Sequence, residues 1–221
     1  MITSGRTWVG LAVAALLLVL FGCDRADTER SGDPDTRPGS EWWGLVKENA
    51  SPRQGVDFTW KLHDAPGPLQ EITASAQYDV INEEECGYKH PMTGTAMRMT
   101  TSRVVDLSEE STQAYSGTTF LDLLQDGDYY GRGICRWEFT TLSIVSRATG
   151  AQGETKFVAF IDRNSLLSGG SLTHYYADSD YPRVGTYPDY PSQGQTDLGR
   201  FRPEVRKHTF SSDFTSKERG K

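Results

Sequence analysis

The residues best suited to chemistry are few and scattered. Four histidines (His63, His90, His174, His208) and three cysteines (Cys23, Cys86, Cys135) fall in no spaced motif. Gly-x-Ser-x-Gly, which exposes a nucleophile on a strained turn, does not occur. Neither does a phosphate-cradling P-loop, a Gly-x-Gly-x-x-Gly opening a helix, or His-Glu-x-x-His. A Ser-His-Asp triad is assembled by folding, and the sequence singles out no serine for one. His90 follows Cys86 by four residues, but no other member of a tetrahedral metal set stands nearby. The string Asp122-x-x-x-Asp126-Gly127-Asp128 lacks the calcium-loop spacing and its closing glutamate, and it predicts a hairpin turn, with a weak calcium site as the alternative reading. Asp178-Ser179-Asp180 reads the same way. No catalytic set, metal site or cofactor is predicted.

The chemistry that remains is that of contact. Tyr175, Tyr176, Tyr181, Tyr187 and Tyr190 are interleaved with Pro182, Pro188, Pro191 and three aspartates. Proline unsuits this stretch for a central strand, so it predicts a long surface loop. Tyrosine offers rigid area with a polar tip, the side-chain type enriched at protein interfaces. A second candidate is Glu83-Glu84-Glu85 beside Cys86. Held in place by a crosslink, three carboxylates would attract a basic partner surface and speed encounter. The eight residues Tyr175, Tyr176, Tyr181, Tyr187, Tyr190, Glu83, Glu84 and Glu85 are therefore the expected partner-binding set.

The chain has 221 residues, 11 % aromatic, with net charge −7. That balance speaks against nucleic acid as a partner, which calls for a basic face. Only one long apolar run exists, Trp8 to Phe21, preceded by Arg6 and followed by Gly22-Cys23. At 14 residues it is shorter than the roughly 20 needed to span a bilayer as a helix, and it suits a secretory signal. Leu20-Phe21-Gly22-Cys23 resembles the lipobox of bacterial lipoproteins. That resemblance implies removal of residues 1–22 and acylation of Cys23, with two or more chains needed for stable anchoring. It places the protein in the periplasm, on the inner membrane if Asp24 acts as a retention signal, and otherwise on the outer membrane. Residues 24–40 hold no large apolar side chain and predict a disordered tether. Cys86 and Cys135 then remain as an even pair in an oxidising compartment, and a disulfide is predicted.

The elements that must position these residues are strands. Phe58, Trp60 and Leu62 alternate with polar residues, as do Ile72, Ala74, Ala76, Tyr78 and Val80. Met97 to Leu107 makes a third alternating run. Tyr129 to Phe139 share one parity and Leu142 and Ile144 the other, which predicts a β-bulge near Thr140-Thr141. Lys156 to Ile161 reads as a strand buried on both faces, and Leu172, His174 and Tyr176 as one more. A short helix is expected at Ser108–Ala114 or Thr119–Leu124. Arg200 to Lys221 is basic, and 206–221 is expected to fray.

The prediction is a mainly β fold: an antiparallel sandwich or barrel, one domain over 41–205, braced by one disulfide. With lipobox, polar tether, β-rich body and acidic balance, the layout is similar to that of periplasmic immunity lipoproteins. The resemblance implies a protein partner, a secreted antibacterial effector, neutralised by occlusion. A structural or assembly lipoprotein of an envelope machine, and an envelope hydrolase with an unrecognised site, stay open at this point.

Overall fold

The computed structural model describes residues 46–220. Cys23 and the 24–40 segment lie outside the described residues, as do Trp42 and Trp43, which the sequence alone places in the core or at a lipid interface. Ten strands and two short helices follow in the order β1 (Gly55–His63), β2 (Glu71–Val80), α1 (Glu83–Cys86), β3 (Thr100–Val105), β4 (Leu107–Ser111), β5 (Ala114–Phe120), β6 (Trp137–Arg147), β7 (Lys156–Asp162), α2 (Arg163–Leu167), β8 (Ser171–Ala177), β9 (Pro191–Gln193) and β10 (Thr209–Glu218). They form two five-stranded sheets, β4-β5-β1-β10-β8 and β3-β2-β6-β7-β9. Every pairing is antiparallel except the short β7–β9 contact. The result is a mainly β sandwich in one compact unit, with the Cys86–Cys135 disulfide formed. Among the described residues no helix is long and apolar enough to cross a membrane.

The predicted alternation decides which side chains meet between the sheets. Phe58, Trp60 and Leu62 of β1, Ala74, Ala76 and Tyr78 of β2, and Leu142 and Ile144 of β6 all point inward and are buried. Each large apolar side chain so buried contributes about 1.5–3 kcal/mol. Phe157, Tyr176 and Phe210 pack with ring centroids 5.0–5.6 Å apart and tie the two sheets together. The bulge is present. Tyr78 pairs with Phe139 and Gln77 with Thr141, leaving Thr140 as the extra residue that restores an inward parity for Leu142. The sheets are also linked at both edges. Asp106 alone separates β3 from β4, and Tyr175 pairs with Gln195 just past β9.

Four expectations are corrected. The segments expected to be helical are β4, β5 and the turn after it. Pairing with β1 captures residues 114–120 as a strand, and the helix-like spacing of Leu121, Leu123 and Leu124 arises where the chain leaves that strand against the core. The strand expected from Tyr129 begins only at Trp137. Before it, the Asp128 carboxylate accepts backbone N–H groups of Tyr130 and Arg132 and folds 128–133 into a turn with Gly131 and Gly133 at positive φ. The C-terminal segment expected to fray is β10, a central strand between β1 and β8. Its inward row is Phe210, Ser212, Phe214 and Ser216, so half of its core face is serine and the alternation is muted. Finally, β7 is buried on both faces only as far as Ala159, because β9 covers just Lys156–Val158 and leaves Phe160 exposed.

Candidate functional site

The five tyrosines divide. Tyr176 faces the core and is 1 % exposed, stacked on Phe210, so it cannot meet a partner and is withdrawn from the binding set. Burial pushes its hydroxyl well above the ordinary tyrosine range. Tyr175 lies on the outer face of β8 in the pairing with Gln195. Tyr181 is half-buried, its hydroxyl donating to the Pro68 carbonyl at 3.0 Å. Only Tyr187 and Tyr190 stand out, 63 % and 38 % exposed, with ring centroids 6.5 Å apart.

The loop that carries this pair is tied down along its length. Thr155 donates its N–H to the Pro182 carbonyl at 3.0 Å and its hydroxyl to the Asp180 carbonyl at 2.6 Å. Ser192 donates to the Asp180 carboxylate at 2.7 Å. The Tyr187 N–H reaches Val184, and Lys156 donates its N–H to the Tyr190 carbonyl at 2.8 Å. Between the two tyrosines, Asp189 sits at φ +56 and accepts from Arg147 at 3.2 Å. Arg147, at the end of β6, also faces Glu71 at 3.4 Å. The loop is thus ordered without using either exposed ring. Two rigid aromatics held in advance lose little side-chain entropy on contact, which suits them to be anchors.

The glutamate run is a separate site. It forms α1, not an irregular turn, pinned by the disulfide and by Asn82. The Asn82 side chain donates to the Ile134 carbonyl at 2.9 Å and accepts from the Arg136 N–H at 2.8 Å. Glu83 is half-buried, while Glu84 and Glu85 are exposed. Glu71 and its Arg147 partner mark the start of β2, and α1 follows its end. The ten residues of β2 separate the tyrosine end from the glutamate end by about 30 Å. The expected partner-binding set therefore occupies two ends of the sandwich. Val46 packs on both the main core and the small cluster of Val80, Cys86, Met99 and Cys135.

Two exposed isoleucines, which the pattern did not flag as functional, also stand at that end. Ile81 is 57 % and Ile134 55 % exposed. The signal was available for Ile81: it follows Val80, the last inward residue of β2, so it has to point out.

Catalytic and metal chemistry have a thinner basis. On the outer face of the first sheet, His63 Nε2 lies 3.0 Å from the Asp213 carboxylate, which also accepts from Thr173 at 2.6 Å. Ser211 is the cross-strand neighbour of His63. This trio stands on a flat sheet whose backbone N–H groups are engaged in strand pairing, a poor setting for stabilising an oxyanion. A groove of about 920 Å³ opens elsewhere, over Phe58, Tyr78 and Gly117. Four of its charged residues are matched, Arg103 with Glu48 and Arg219 with Asp57, each at 2.7 Å. The hydrogen bond from Arg219, with one from Thr118, holds the Asp57 carboxyl below the usual range. Asp122 and Asp126 accept backbone N–H groups of Arg53, Gln54 and Trp137. Among the described residues no group of three or more His, Cys, Asp or Glu is placed to hold a metal ion.

No protein-family model matches the chain, and neither a curated protein nor a solved structure is similar to it.

Proposed function

We propose that this chain is a membrane-tethered periplasmic lipoprotein that binds and inhibits a protein partner, acting as an immunity protein that occludes a secreted antibacterial effector. The observation that carries this reading is the Tyr187–Tyr190 pair, exposed on a loop whose order does not depend on it. The net charge of −7 favours capture of a basic partner, as charge steering raises the rate of encounter.

The test is protection. Cells that make the full chain are exposed to each secreted protein encoded next to its gene that kills cells lacking the chain. Survival is expected with the wild-type chain and loss of survival with Tyr187→Ala/Tyr190→Ala at equal abundance. Equal survival with the double variant contradicts the proposed contact, and death with the wild-type chain contradicts the immunity reading.

A further inference from the structure

The disulfide end carries a surface with both charges around an apolar centre. The Ile81 N–H donates to the Arg136 carbonyl at 3.0 Å, which sets residues 81 and 136 opposite each other. Asn82, next to Ile81, donates to the Ile134 carbonyl at 2.9 Å, and Ile134 and Arg136 are exposed on either side of the buried Cys135, which brings Ile134 close to Ile81. Both side chains are more than half exposed although the backbone beneath them is held by the disulfide, by Asn82 and by this hydrogen bond. Isoleucine is stiff at χ1, so the pair presents a fixed shape.

Charges flank the pair unequally. The segment of Ile81 continues into Glu83, Glu84 and Glu85, while the segment of Ile134 carries Arg132 and Arg136, both exposed. Among the described residues the guanidinium groups of Arg132 and Arg136 form no ion pair, Glu83 and Glu85 form none with a cation, and Glu84 has only Lys89, at 3.9 Å. Apart from a 3.3 Å hydrogen bond that the Asn82 side chain donates to Glu85, the charged groups of Arg132, Arg136, Glu83 and Glu85 are left to solvent.

We infer that this face binds a second copy of the chain, as a two-fold dimer centred on Ile81 and Ile134. A patch with acid on one side and base on the other is complementary to itself. A two-fold axis lying in the contact plane between the two sides sets the glutamates of each copy on the arginines of the other. The isoleucines of both copies meet at the centre, where an interface is most apolar. A wholly basic partner would leave Arg132 and Arg136 facing like charge, and a wholly acidic one would do the same to the glutamates. This surface goes beyond the proposed inhibition, since it uses the end away from Tyr187 and Tyr190 and leaves them free.

The experiment is charge-swap complementation between two differently tagged full chains made in one cell. One chain carries Glu83→Arg/Glu84→Arg/Glu85→Arg and the other Arg132→Glu/Arg136→Glu. Wild-type copies are expected to retain one another on the first tag. Each swapped chain is expected to lose self-retention about tenfold, and the two swapped chains together to regain it. Ile134→Asp, at an already exposed position, lowers self-association about thirtyfold, the fold-change of a hot-spot loss. Melting temperature and an intact Cys86–Cys135 bond verify that each variant is folded. Tyr187→Ala/Tyr190→Ala leaves self-retention unchanged. Wild-type copies that do not retain each other overturn the inference, and so does a swapped pair that fails to recover, or Ile134→Asp associating like wild type.

Discussion

Replacing Cys86 and Cys135 with alanine removes a crosslink between residues 49 apart in sequence. In the chain-entropy account, opening a loop of about 50 residues costs about 4 kcal/mol. For a body of roughly 175 residues that is a fall in melting temperature of about 11 °C. The structure also says where the loss falls. Among the described residues the cluster around the bond has Val80, Cys86, Met99 and Cys135 as its buried members, against twenty in the main core. Residues 81–98 and 125–136 therefore lean on the crosslink for order, while the paired strands do not. Differential scanning calorimetry gives the melting shift, and amide hydrogen exchange gives its distribution. Exchange is expected to speed up in 81–98 and 125–136 and to remain slow in β1, β2, β6 and β10. A melting change under about 3 °C, or loss spread evenly over both sheets, would refute the reasoning.

Three further perturbations follow from particular contacts. Gly117→Ala sets a Cβ 2.6 Å from the Phe58 ring and 3.0 Å from the Asp106 carbonyl, and is expected to cost about 1–3 kcal/mol in chemical denaturation. Burial holds the His174 imidazole below its ordinary pKa of 6.5, against a contact with the Phe160 carbonyl that favours the charged form. Its neutral form is thus the folded one. Stability is full above about pH 6.5 and declines as pH falls below it, because the unfolded chain takes up the proton first, by at most about 1.4 kcal/mol per pH unit. Urea titrations of His174→Leu should lose that part of the acid slope, and an unchanged slope assigns it elsewhere. Arg147→Met frees Asp189 and Glu71. Since the arginine is 16 % exposed and both carboxylates about 40 %, solvent weakens the pairs, and the loss of stability should be near 1 kcal/mol. Partner affinity should fall further than stability as the Tyr187–Tyr190 loop loses its clamp. A binding loss no larger than the stability loss denies the clamp that role.

Much of the fold was legible because period two survives wherever one face is apolar. β1, β2 and the bulge at Thr140 could be read from parity alone, and the Cys86–Cys135 pair from arithmetic. β10 was hidden because Ser212 and Ser216 occupy inward positions, so burial there does not look apolar. The β4–β5 hairpin was hidden because glutamates on an edge strand and leucines beyond it imitate helical spacing. The site was half legible. Composition marked the Tyr-Pro loop, but whether a tyrosine points in or out depends on register. Tyr176 pairs with Phe210 of a strand the sequence did not reveal. The separation of the glutamates from the tyrosines follows from the length and direction of β2, which no local pattern states.

The central claim is that Tyr187 and Tyr190 are where this protein grips a partner. Hydrogen exchange of the full chain, alone and saturated with the protein it captures, tests that claim most directly. The account predicts slowed exchange concentrated in residues 182–190 and the adjoining start of β7. Protection confined to other surfaces, with 182–190 exchanging as in the free chain, would contradict it.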